Sequence, residues 1–245
     1  MQNLKYIVVS CLFVIACKTE TQLTAEKIID KTIEVSGGEN YLKANIEFDF
    51  RGKHYRSHRA GGSFQYERQF TDSIGNIKDV LNNDGFQRYV NNNSVVVIDS
   101  MIPKYSASVN SVHYFALLPY GLNDAAVNKS SLGKVTIKDK FYHKIKVTFD
   151  QEGGGEDFED VFVYWIDTET FKVDYLAYSY IETDGVGMRF REAYNERIIN
   201  GLRFVDYKNY KPIDEALKLN ALDKAFESNQ LKLLSKIELK NIQVN

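Results

Sequence analysis

The 245-residue chain carries 31 Lys and Arg against 33 Asp and Glu, a formal net charge of −2, so it lacks the basic excess with which nucleic-acid binders neutralise phosphates, and no nucleic-acid partner is expected. Its 15 Phe and 16 Tyr supply large apolar surfaces with polar tips, and a chain of this length can bury one full core. Its two cysteines, Cys11 and Cys17, both lie near the N-terminus, which leaves the rest of the chain without a disulfide, a thiol nucleophile or a thiolate metal site.

Lys5 is the only charged residue before Cys17, and it precedes the apolar run Tyr6 to Ile15. That run is about half the roughly 20 residues a membrane-spanning helix needs, and it ends in a small residue as a secretory leader does. Val14-Ile15-Ala16-Cys17 resembles the lipobox of bacterial lipoproteins, in which the cysteine thiol receives diacylglycerol and the peptide is cut just before it. Cutting at the other cysteine match, Val8-Val9-Ser10-Cys11, would leave almost no apolar region. The expected organisation is a leader over residues 1–16, an acylated tether over 17–23 starting at lipidated Cys17, and a single β-rich domain over 24–245. The membrane is then a partner through the N-terminal lipid. Lys18 and Thr19 lack the Asp that, by the same resemblance, marks inner-membrane retention, so the expected location is the outer membrane, in either leaflet.

Thr24 is placed to cap a helix whose apolar stripe is Ile28, Ile29, Ile33 and Val35 and whose stop is Ser36-Gly37-Gly38. A short turn around Tyr41 and Leu42 follows. From Asn45 the period falls to two, with Ile46, Phe48 and Phe50 alternating with Glu47, Asp49 and Arg51. Strands are expected around Phe64 to Phe70, at Ile77 to Leu81 and, through an Asp-Gly turn, at Phe86 to Val90, then after Asn91-Asn92-Asn93 at Val95 to Ile98. A helix is expected over 104–118, with Pro103 in its first turn and Val109, Val112, His113, Ala116 and Leu117 on one side. Further strands are read at Val135 to Ile137, Tyr142 to Phe149, Val161 to Ile166, Phe171 to Ile181, Met188 to Tyr194, Leu202 to Tyr210 and Leu231 to Val244, with a small helix at Asp223 to Glu227. About ten antiparallel strands make this a mainly β (α+β) fold, a large curved antiparallel sheet or unclosed barrel with an N-terminal helix and a mid-chain helical lid.

The early helix with Gly37-Gly38, the strand running to Gly52, and Tyr164-Trp165-Ile166-Asp167-Thr168-Glu169-Thr170 together resemble the LolA/LolB-like superfamily of lipoprotein carriers and outer-membrane lipoprotein-sorting proteins. Leu118-Pro119-Tyr120-Gly121-Leu122-Asn123-Asp124, the 153–160 loop and Met188-Arg189-Phe190-Arg191-Glu192 resemble a family of Gram-negative envelope lipoproteins known as a domain of unknown function. The superfamily resemblance implies an unclosed antiparallel barrel whose concave face, lidded by helices, holds acyl chains. It implies that the first helix and residues 104–118 form the lid. An aldolase of the TIM-barrel type is excluded, because strands and helices do not alternate along the chain.

No catalytic motif emerges. His54, His58, His113 and His143 lack metal spacing, and neither a nucleophile elbow nor a phosphate loop is present. The chain therefore reads as noncatalytic, without a cofactor. The run from Glu152 to Asp160 collects hard oxygen ligands on a glycine-rich backbone, as calcium would require, but reads more simply as a solvated hairpin loop. Arg189 and Arg191 share one face of their strand and could grip a headgroup at a cavity mouth, or pair with Glu182 or Asp184. The candidate ligand-binding residues are Phe48, Phe50, Trp165, Tyr178, Arg189 and Arg191. The expected function is to bind or carry a lipid or other apolar ligand in the concave sheet; the alternative is a cell-surface module that binds a protein or polysaccharide and has no internal cavity.

Replacing Cys17 by Ser is expected to abolish metabolic labelling with a fatty-acid analogue and to release the protein from membranes, because stable anchoring needs more than one acyl chain at that cysteine. Label retained by the Cys17→Ser protein would place lipidation elsewhere.

Overall fold

The structure, a computed structural model, describes residues 23–155, 157–182 and 185–245; the leader, Cys17 and the tether up to residue 22 lie outside the described residues. Helix α1 (Ala25–Ser36) begins where the Thr24 hydroxyl accepts a hydrogen bond from the Lys27 amide, and it ends at Gly37. Gly37 cannot be replaced cheaply: its φ is +147°, and a Cβ there would lie 2.5 Å from the Leu202 side chain. A 3-10 turn, Gly38–Leu42, then buries Tyr41, whose hydroxyl donates to the Ser36 carbonyl.

A meander follows: β1 (Asn45–Phe50), β2 (Lys53–Ala60), β3 (Ser63–Asp72), β4 (Gly75–Asn82), β5 (Gly85–Val90) and the short β6 (Asn93–Val95). Helix α2 (Ile102–Ala116) leads to a second meander of β7 (Val127–Ile137), β8 (Lys140–Phe149), β9 (Val161–Asp167), β10 (Val173–Glu182), β11 (Gly185–Ile199), β12 (Leu202–Pro212), helix α3 (Leu222–Glu227) and β13 (Leu231–Ile237). Several hairpins turn on two consecutive residues with positive φ, such as Asn91-Asn92 and Asn200-Gly201, as tight turns between right-twisted strands require. The β9–β10 turn is built differently, by Asp167, whose carboxylate accepts from the Glu169 and Thr170 amides.

With a last strand, β14 (Lys240–Val244), the strands among the described residues form two seven-stranded antiparallel sheets, ordered β14-β1-β2-β3-β4-β5-β6 and β13-β12-β11-β10-β9-β8-β7. They are not closed into a barrel. The segment Leu231 to Val244, expected as one strand, is two. The chain leaves the second sheet at Glu238, the buried Leu239 amide donates to Asp206, and β14 (Lys240–Val244) pairs with β1 in the first sheet. This crossing joins the sheets along one side. Strand β2 was not anticipated, because Lys53 to Ala60 is basic and polar and only Tyr55 and Ser57 turn into the core. The expected strand at Val95 to Ile98 is shorter too, ending at Val95.

Helix α2 lies between the two sheets. Val112, Ala116 and Leu117 pack on Ile46, Phe48 and Tyr55 of the first sheet, while Tyr114 and Phe115 join the core of the second with Tyr164 and Leu176. His113 faces the first sheet, stacked on Tyr66 with centroids 4.4 Å apart and bonded through Nε2 to the Glu67 carbonyl. Burial pushes its pKa down to about 3, so it is a neutral packing residue, fully rather than half buried.

The outer face of the second sheet is also covered. Trp165, Tyr175 and Phe190 pack under Leu222 and Phe226 of α3, and one Asp223 carboxylate oxygen accepts from both Lys144 Nζ (2.9 Å) and Trp165 Nε1 (3.2 Å). Replacing Asp223 by Ala would strand a buried ammonium and an indole N–H. A loss of about 3 kcal/mol is expected in urea unfolding, since removing one partner of a buried pair leaves the other uncompensated. An unchanged midpoint would show that Lys144 is satisfied by the Asn220 carbonyl alone.

Candidate functional site

Register defines the concave face of the second sheet. Ile145 pairs with Tyr164, Tyr164 with Leu176, Leu176 with Arg191 and Arg191 with Asn209, and paired residues point to the same side. The next row brings Val147, Phe162, Tyr178 and Arg189 together. Where α2 crosses these rows without filling the space, a cavity of about 590 Å³ remains, within the usual range of small-ligand sites.

Its walls are aromatic. Tyr114 and Phe115 come from α2, Phe50 from β1, Phe149, Phe162, Tyr178 and Tyr180 from the second sheet, and Ile237 and Leu239 close the side where the chain crosses between sheets. Phe162 stacks on Tyr178 at 5.2 Å, and Phe115 lies 5.1 Å from Tyr178. Tyr114 and Tyr164 share a 2.6 Å hydroxyl–hydroxyl hydrogen bond, and burial raises both phenols, so both are neutral.

Arg191 sits in this wall at only 7% exposure. Its Nη2 donates to the Tyr178 hydroxyl at 2.8 Å and its guanidinium lies 3.7 Å from the Phe115 ring centroid, while Nε and Nη1 have no hydrogen-bond partner. Burial lowers its pKa, yet a guanidinium stays charged at any physiological pH. Arg189, also in the lining, donates from Nη1 to the Met188 carbonyl and packs over Tyr180. The ion pairing with Glu182 or Asp184 considered from sequence involves side chains that are not among those described.

Of the six residues nominated from sequence, Phe50, Tyr178, Arg189 and Arg191 line the cavity; Phe48 and Trp165 do not. Phe48 shares a strand face with Phe50 but is sealed by Tyr55, stacked at 5.4 Å, and by His113 at 5.8 Å. Trp165 lies on the opposite face from Tyr164 and is enclosed under α3. Among the wall residues that sequence reasoning missed are Tyr114, Phe115, Phe149, Phe162 and Tyr180. Phe162 was within reach, since it lies two before Tyr164 on the same face.

The acidic glycine-rich loop is not a plain solvated hairpin. Gly154, Asp157, Glu159 and Asp160 contribute to the cavity lining, and among the described residues no group of three His, Cys, Asp or Glu is arranged to hold a metal ion. Burial, reinforced by the neighbouring Asp157 carboxylate, pushes Asp160 up to about 7.

Residues 3–239 match a family of unknown function, DUF6503, and the chain belongs to that family. No curated protein sequence matches it. Among solved structures, a LolA superfamily protein from Nitrosomonas europaea is similar at TM-score 0.51 and 10% identity, over 91% of this chain and 94% of that one. A DUF1329 family protein from Desulfovibrio piger covers the same shares at 10% identity and TM-score 0.46. The fold is LolA-like.

The elevated Asp160 has a consequence for stability. Its folded pKa lies above its unfolded value, so ionisation opposes folding; the penalty is absent while both states are protonated and grows as pH rises through about 7. Asp160→Asn is expected to stabilise the protein at pH 8 by about 1 kcal/mol, allowing for screening at a half-exposed site, and to change little at pH 4. Thermal unfolding at both pH values checks this, and equal shifts at the two would remove the carboxylate from the explanation.

Proposed function

We propose that this protein is a noncatalytic envelope lipoprotein, anchored at the outer membrane through Cys17, that binds or carries an acyl-chain ligand in the cavity beneath α2. The observation that carries the reading is the space of about 590 Å³ left between an aromatic sheet face and a helix packed across it. Each methylene moved from water into such a wall contributes about 0.8 kcal/mol. Ten of them give about 8 kcal/mol, enough to offset much of the cost of association without a dense set of polar contacts. The fold shared with a LolA superfamily protein supports the same reading. The rival reading, a surface module with no internal cavity, needs a filled core, and the open space speaks against it.

Native mass spectrometry of the gently purified protein should show copurifying lipid. Phe149 is a half-buried wall residue, so Phe149→Asp should place a charge in the lining, abolish that lipid and leave the far-ultraviolet circular dichroism unchanged. Lipid retained by the folded variant would rule the cavity out as the binding site.

A further inference from the structure

Resting on the acyl-binding reading, the geometry points to a single-chain amphiphile with a carboxylate headgroup, such as a free long-chain fatty acid, as the ligand, with the carboxylate bound by Arg191 inside the cavity. Among the described residues, no carboxylate is bonded to the buried Arg191 guanidinium. Arg68, Arg197 and Arg203 are buried or half-buried arginines of this chain, and each sits against a carboxylate, with N–O distances of 2.6, 2.8 and 2.7 Å to Asp79, Asp206 and Glu196 respectively. Arg191 is as buried as these, yet its one hydrogen-bond partner is a neutral phenol, and Nε and Nη1 are left with none.

Burying an unpaired charge is costly, and unmet buried donors are rare in folded proteins. Here both defects fall on a residue that lines the aromatic-walled cavity. A carboxylate entering with its chain along Phe162 and Tyr178 would supply one negative charge to one guanidinium and accept from the unmet donors. Such charge-assisted bonds gain most where water is excluded.

The number of charges favours a monoanion. Asp157, Glu159 and Asp160 line the cavity together with Arg51, Arg189 and Arg191, so its lining has no formal excess of positive charge with which to hold the second negative charge of a phosphate monoester. An uncharged ester or alcohol would fill the apolar wall and leave Nε and Nη1 unmet. Phe115 and Tyr178 flank the guanidinium at 3.7 and 5.1 Å from their ring centroids. They hold it in place before a ligand arrives, which limits the ordering that binding must supply.

The test uses the purified, delipidated full chain with three probes: the fluorescent C18 polyene cis-parinaric acid, its methyl ester, and a lysophosphatidic acid of equal chain length in competition. The expected result is that the acid binds wild type more tightly than the ester, that Arg191→Gln weakens the acid by about 10- to 100-fold, and that it changes ester binding by less than threefold. Arg191→Lys should recover part of the acid affinity. Ester binding reports that each variant is folded. If the acid and the ester bind wild type equally, and Arg191→Gln affects them alike, the carboxylate assignment is overturned while the acyl-binding reading stands. Tighter binding of lysophosphatidic acid that depends on Arg191 would overturn the carboxylate in favour of phosphate. If neither acid nor ester binds wild type, the acyl-binding reading itself falls.

Discussion

The packing of this molecule depends on one partly buried helix that lies between the two sheets. Helix α2 is held from both sides, by His113, Ala116 and Leu117 on the first sheet and by Tyr114 and Phe115 on the second. A helix in that position keeps the two seven-stranded sheets apart and open. Sheets in direct contact pack about 10 Å apart and interlock their side chains. Sheets spaced by a helix meet only where helical side chains reach, and gaps persist where short residues such as Asn110 and Ser111 face the wall. The cavity therefore follows from the helix's position and needs no special device of its own. The same packing explains the neutral His113, since a charged imidazolium enclosed by Phe48, Tyr55 and Tyr66 would lose its hydration with no carboxylate in contact.

The buried charges sort into two kinds. Asp79, fully enclosed, accepts from Arg68 and Arg88, and Arg68 also donates to Ser108 of α2, so this cluster fixes the helix to the first sheet. Lys144 and Asp223 do the same for α3 on the outer face. Such pairs add little net stability when complete but are costly to break, and they specify which element packs where. Arg191 belongs to neither cluster. It holds no second element by an ion pair, and its neighbours are rings.

Much of this was legible in the sequence, for identifiable reasons. The Thr24 cap, the Gly37 stop, the helix after Pro103 and the alternation in β1, β8 and β9 are local signals, and each lies within a residue or two of its expected place. The strand Lys53 to Ala60 was hidden because its neighbours in the sheet, not its own side chains, make it a strand. The division of the C-terminal segment between two sheets depends on Leu239 finding Asp206, 33 residues away in sequence. Alternation along β9 puts Tyr164 and Ile166 on one face and Val163 and Trp165 on the other. It could not say which face was concave, because both faces of the second sheet are buried and both are aromatic. Hence Trp165 was nominated for a cavity it faces away from. Arg191 was found for its spacing from Arg189, but its isolation from carboxylates is a property of the fold alone.

An unclosed barrel has free edges, and the helix that holds the sheets apart makes them unavoidable. Exposed strand edges invite pairing with other chains, so stable proteins blunt them. The two edges here are blunted differently. Strand β6 is only three residues long, which leaves little ladder to extend. Strand β7 is long, but a register shift between Ser131 and Lys134 breaks its pairing, and Lys129 and Lys134 put charge along it. At the other side β13 and β14 are consecutive in the chain, so the two inner edges are joined covalently through Glu238 and Leu239. The aromatic wall of the cavity lies on the inner faces of the sheets.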